Sequence, residues 1–137
     1  MKHLSDYTEP MVTKLFEETG AFFAFNKEQF EILRKEGVSY VWLGAGLICP
    51  DSAVERVVEG LDDIGSTCRA LDLEENGKKA IIHRELANYE YIETSDISDT
   101  LSALKPYGIT AEEIEGETQE YIDDYYEWRK QQEEKGC

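Results

Sequence analysis

The stretch Tyr40-Val-Trp-Leu-Gly-Ala-Gly-Leu-Ile-Cys-Pro-Asp51 does most to restrict what this chain can fold into. Val38 to Leu43 mixes β-branched and aromatic residues in a short, continuous apolar run, which predicts a buried strand. Gly44 and Gly46 open backbone conformations that a Cβ closes, and Pro50 stands where a helix can begin. After Ser52, Val54, Val57, Val58, Leu61, Ile64, Cys68 and Leu71 recur at steps of three and four, predicting an amphipathic helix from about Ser52 to Leu73. A strand that passes through a glycine turn into a helix is a common ligand position. Gly44, Gly46 and Cys49, together with His83, are therefore the candidate ligand loop.

The elements on either side follow from caps and stripes. Ser5 or Thr8 is expected to cap a first helix with Pro10 in its first turn, striped by Met11, Val12, Leu15 and Phe16 and ended by Gly20. Ala21 to Phe25 reads as a short strand. Asn26 with Gln29 resembles a capping box for a helix through Phe30 and Leu33 that stops at Gly37. Gly60 and Gly65 each weaken the long helix by about 1 kcal/mol relative to alanine, so close packing against another element is expected at both. Asn76-Gly77 ends that helix, and Lys78 to Asn88 forms the next, with Ile82, Leu86 and Tyr89 as its buried face. Tyr89 to Thr94 alternates as an edge strand would. Ser95 or Asp96 caps a short helix carrying Ile97, Leu101 and Leu104, closed by Pro106 and Gly108. Thr110 with Glu113 is a capping box for a last helix through Ile114, Thr118, Tyr121, Ile122, Tyr125 and Trp128, fraying into a polar tail from Gln131.

These patterns predict a mainly helical α+β fold with a small sheet of two or three strands. One domain over residues 1–137 is expected, its core at about 8–128 and its polar tail at 131–137. A 41% hydrophobic fraction is enough for a real core. No run approaches the roughly 20 apolar residues of a membrane span, and Met1-Lys-His-Leu-Ser-Asp lacks the apolar segment of a signal peptide. Cys49, Cys68 and Cys137 form no Cys-x-x-Cys pair, and their odd number suits a reducing, cytoplasmic setting with Cys49 and Cys68 as buried thiols.

Charge is the outstanding bulk property. The net charge is −16, and from Tyr107 to Glu127 there are eight acids and no base. Such a surface repels nucleic acid and anionic membrane and attracts basic partners. In the last helix the acids Glu113, Glu117, Glu120, Asp124 and Glu127 recur at three- and four-residue steps, stacking along one side. Tyr126 and Trp128 lie among them, and such aromatics are enriched at interaction hot spots. This acidic face is the expected protein-binding surface.

Specific chemistry is thin. Gly44-Ala-Gly46 lacks the third glycine of a dinucleotide loop and the Gly-Lys-Ser/Thr of a phosphate loop. His83, with Glu90 two turns along its helix, matches no zinc spacing, and His3 lies in a terminus expected to be mobile. Cys49 near a helix start has only His83 to serve as base. The doublets Asp62-Asp63 and Asp123-Asp124 do not match a calcium loop. No catalytic residue, no metal and no cofactor is expected.

Three segments carry a resemblance: Phe22-Phe-Ala-Phe-Asn-Lys-Glu-Gln-Phe30, Leu43-Gly-Ala-Gly-Leu-Ile-Cys-Pro50, and Asn76-Gly-Lys-Lys-Ala-Ile-Ile-His-Arg-Glu-Leu-Ala-Asn-Tyr-Glu90. Over about residues 20–126 the chain resembles a family of small, acidic, uncharacterised proteins from bacteriophages and bacterial mobile elements. The resemblance implies no activity and no catalytic residue. It implies a setting, the cytoplasm of a host bacterial cell, where small acidic proteins bind host proteins. The leading expectation is a non-enzymatic protein binder, an anti-defence (anti-CRISPR-like) inhibitor whose acidic face occupies a basic, nucleic-acid-binding groove. The alternatives are a small enzyme or ligand binder using the Gly44–Asp51 loop with His83 and Glu85 or Glu90, or a phage accessory or structural protein.

Overall fold

The computed structural model describes residues 1–136; Cys137 lies outside the described residues. Among the described residues the chain forms seven α-helices and a three-stranded antiparallel sheet, so the expected mainly helical α+β class holds. No helix of the described residues is long and apolar enough to cross a membrane. Contacts group the chain into two compact units, residues 1–71 and everything from Asp72 on.

The first unit begins with α1 (Leu4–Thr19). This helix starts earlier than its Ser5 and Thr8 signals suggest. His3 is its N-cap, with the backbone N–H donating to Asp6 Oδ2 at 2.8 Å, and Pro10 falls beyond the first turn. Gly20 ends it in the left-handed conformation, as expected. The strands β1 (Phe22–Phe23), β2 (Tyr40–Gly44) and β3 (Leu47–Pro50) assemble in the order β1-β3-β2. The organising stretch is therefore a hairpin, not a strand leading straight into a helix. Gly44, Ala45 and Gly46 take positive φ in succession (97°, 52° and 81°), reversing the chain so that Leu47–Pro50 becomes the central strand.

Paired residues share a sheet face. Phe22, Ile48 and Trp42 stand side by side on one face, where α2 (Lys27–Leu33) lays Phe30 against Phe22, Tyr40 and Trp42 at 5.5–6.2 Å between ring centres. Asn26 Oδ1 caps α2 by accepting from the Gln29 N–H, but the Gln29 side chain accepts from Phe25 instead of closing the box, and the helix ends at Leu33 rather than at Gly37. On the opposite face Cys49 is buried with Ala21 and with Val57 of α3 (Val54–Asn76), and Phe16 of α1 meets Phe23 at 5.4 Å. The strand read as buried is only half so. β2 is an edge strand, leaving Trp42 55% exposed and Val38, just before it, also exposed.

Gly60 of α3 is packed as expected, since a Cβ there would lie 2.8 Å from Leu15 Cδ2. Gly65 is not, because only the Arg69 side chain of the same helix comes near. Val58 and Leu71, assigned to the buried stripe, are exposed, while Cys68 and Asp72 are fully buried.

The second unit holds the last turn of α3, then α4 (Lys78–Asn88), α5 (Tyr91–Thr94), α6 (Ser98–Leu104) and α7 (Ala111–Lys135). Ile81, Ile82, Leu86, Leu104, Ile109 and Ile114 form its core. Tyr89 caps the C-terminus of α4 and is exposed rather than buried. Tyr91–Thr94 forms one helical turn where an edge strand was expected, entered through Glu90 in the left-handed conformation. Asp96 Oδ1 accepts from the Ser98 N–H at the start of α6. The Thr110–Glu113 capping box forms in both directions, at 3.2 Å each way. α7 does not fray at Gln131 but stays helical to Lys135.

Candidate functional site

Helix α7 packs on α4, and the two sequences meet base to acid. Lys79 and His83 are one turn apart on α4, while Glu113, Glu117 and Glu120 repeat at four and three residues on α7. Lys78 Nζ reaches Glu113 Oε2 at 2.6 Å, Lys79 Nζ reaches Glu120 Oε1 at 2.6 Å, and His83 Nε2 lies 2.9 Å from Glu117 Oε2. The hydrogen bond from Lys78 holds the Glu113 carboxyl below the usual carboxylate range, and that from Lys79 does the same for Glu120. Tyr121 packs its ring edge-on to His83 at 5.7 Å. The acidic row is thus not outward along its whole length, because three of its five acids turn toward α4.

Beyond this contact the helix changes character. Every residue from Tyr126 to Gly136 is exposed. Tyr125, Tyr126 and Trp128 form a cluster of touching rings, with Tyr125 at 5.4 Å from Tyr126 and 6.1 Å from Trp128. Tyr126 is 53% and Trp128 55% exposed. Asp123, Asp124 and Glu127 surround them and enter no ion pair among the described residues. Asp123 accepts a hydrogen bond from Gln119, and Glu127 one from Gln131.

His83 is the one predicted ligand-type residue that the fold surrounds with carboxylates. One of its ring nitrogens and one oxygen each of Glu117 and Glu120 lie within 4.8 Å of one another. The anticipated partner was different. Glu90 lies past the end of α4 with left-handed backbone, so it does not continue the His83 face. Glu85 is occupied, accepting from Arg84 Nε at 2.8 Å and from Asn88 at 3.2 Å. Nor is His3 a loose terminal residue, since it caps α1.

Gly44, Gly46 and Cys49 belong to the first unit and each has a structural task there. Gly44 and Gly46 make the hairpin turn, and a Cβ on Gly46 would overlap the Phe25 ring. Cys49 lies in β3, not in a loop, and is fully buried. Burial, with the nearby Asp51 carboxylate adding to it, pushes its thiol up, the opposite of what a nucleophile near a helix start requires. Cys68 is likewise a buried thiol, 3.6 Å from Met11 Sδ.

Two features escaped the sequence. Arg84 clamps Asp72 with two hydrogen bonds of 2.9 Å, while Tyr107 Oη and Asn76 Nδ2 donate to the same carboxylate at 2.6 and 2.8 Å. The available signal was the position of Asp72, four residues after Cys68 on an apolar stripe, where an acid must be paired. The second feature is the exposed apolar group Phe25, Ile32 and Trp42, at 72%, 80% and 55%.

A model described as a family of unknown function (DUF7659) matches residues 4–127. No curated protein and no solved structure matches the chain.

Proposed function

Since the chain belongs to that family of unknown function, we propose from its own geometry that it acts by binding a protein, with the distal part of α7 as the surface that engages a basic, partly apolar partner. The observation that carries this reading is the exposed run from Tyr126 to Gly136, helical through Lys135 and headed by two half-exposed aromatics beside unpaired acids. Most helical stability in proteins comes from packing an amphipathic face, yet every residue of this segment is exposed. Tyr126 and Trp128 supply rigid contact area of the kind found at binding hot spots, while Asp123, Asp124 and Glu127 supply charge that steers a basic partner. The net charge of −16 extends that attraction beyond the helix itself.

The partner inferred is a host protein whose basic groove otherwise takes nucleic acid, blocked inside a bacterial cell. That setting rests on the likeness to phage and mobile-element proteins and on the acidity of α7. It makes the chain an inhibitor with no chemistry of its own. The test is to immobilise the parent and a variant carrying Trp128→Ala with Asp123, Asp124 and Glu127 changed to glutamine. Both are exposed to one bacterial lysate. A basic protein retained by the parent and lost from the folded variant supports the reading, and equal retention by both removes it.

A further inference from the structure

We propose that His83, Glu117 and Glu120 form a binding site for a divalent transition ion of borderline softness, with Zn²⁺ as its natural probe. One imidazole nitrogen and two carboxylate oxygens are the donor set that such ions take, whereas calcium requires six to eight oxygens. The donors come from two packed helices, which fixes their separation more firmly than loops would. His83 and Glu117 are mostly covered, with side chains 20% and 25% exposed. Zinc sits about 2.0–2.2 Å from nitrogen and oxygen ligands, so neighbouring donors in a tetrahedral shell stand roughly 3.3 Å apart. His83 Nε2 and Glu117 Oε2, at 2.9 Å, already approach that spacing.

Glu120 completes the set by a change of side-chain rotamer, since it lies one turn along α7 and all three donors fall within 4.8 Å. Its competitor is Lys79, whose ammonium takes Glu120 Oε1 at 2.6 Å. The ion therefore replaces one cation with another at the same carboxylate. Beside the donors lies a cleft of about 340 Å³ lined by Lys78, Lys79, Ile82, Glu113, Gly116 and Glu117. A Cβ at Gly116 would meet nothing within 4 Å, so the cleft stays open to solvent and leaves room for water as a fourth ligand. Spacing along the chain hid this site, because His83 and Glu117 are 34 residues apart.

The role of Lys79 separates an ion site from a set of surface ion pairs. Untagged, chelator-treated protein carrying Cys137→Ser, which removes the terminal thiol as a stray ligand, is titrated with zinc chloride by calorimetry. The proposal expects saturable uptake of one ion per chain. Glu120→Gln and His83→Gln should each weaken it about tenfold or more, and Lys79→Ala should tighten it severalfold. If His83→Gln fails to fold, the exposed Glu120→Gln and Lys79→Ala variants decide the matter. Absence of saturable uptake, or uptake that Glu120→Gln and Lys79→Ala both leave unchanged, overturns the proposal.

Discussion

Lys79 Nζ stands 2.6 Å from Glu120 Oε1, and among the described residues this is the last ion pair by which α4 holds α7. The position of that pair divides the acidic helix into a part facing its own chain and a part facing solvent. Before it Glu113 and Glu117 face Lys78 and His83, whereas Asp123, Asp124 and Glu127 after it have no base within ion-pair distance among the described residues.

The paired acids are expected to be interchangeable with glutamine at little cost. Exposed ion pairs contribute little to stability, and salt screens what they contribute. Changing Glu113 and Glu120 to glutamine should lower the melting temperature slightly at low ionic strength, with the difference vanishing in high salt. Partner binding should persist. Thermal scans at two salt concentrations check this, and a large, salt-independent loss would contradict it.

Asp72 behaves differently, because it is fully buried beneath Arg84, Tyr107 and Asn76. Removing one partner of a buried pair leaves the other charge uncompensated, so Asp72→Asn should cost about 3–5 kcal/mol at neutral pH. Burial alone would push the Asp72 carboxyl up, but hydrogen bonds from Arg84, Tyr107 and Asn76 outweigh it and hold it below its ordinary value of 3.8. A lowered folded-state value means that the stabilisation is complete above the unfolded value and is lost as pH falls through the folded one. Urea unfolding of parent and variant should therefore differ most near neutrality. Their difference should narrow progressively below about pH 4.

Two glycine substitutions probe the hairpin turn and the packing of α3. Gly46→Ala meets a φ of 81°, which costs an alanine about 1–2 kcal/mol, and its methyl must also displace the exposed Phe25 ring. Gly60→Ala gains about 1 kcal/mol of helix propensity but drives a methyl into buried Leu15, and overpacking of that kind costs about 1–3 kcal/mol. Both variants should be less stable, with binding by the folded protein unchanged. Equal or higher stability of Gly60→Ala would mean that Leu15 yields freely.

Local signals were legible where one residue settles a local conformation. Gly20, Gly77 and Gly108 mark helix ends through positive φ, and Thr110 with Glu113 marks the start of α7. Where periodicity was short it misled. Leu47–Pro50 is too brief an apolar run to distinguish a central strand from a loop, and the alternation of Tyr89 to Thr94 spans only one helical turn. In α3 the stripe was legible but not its depth, so Val58 and Asp72 exchanged their expected environments. Of the candidate site, Tyr126, Trp128, Asp124 and Glu127 could be read as surface from the sequence. The turning of Glu113, Glu117 and Glu120 toward α4 depends on a helix more than 20 residues away, which no pattern within α7 encodes.

The decisive measurement is a salt titration of the captured basic partner against parent protein and a variant with Asp123, Asp124 and Glu127 changed to glutamine. Exposed charges are screened within about 10 Å at 0.1 M ionic strength, so binding through them must weaken steeply as salt rises. The account predicts tight, strongly salt-dependent binding by the parent, and weak binding with a shallow salt response by the folded variant. Equal affinity of the two proteins at both low and high salt would contradict it.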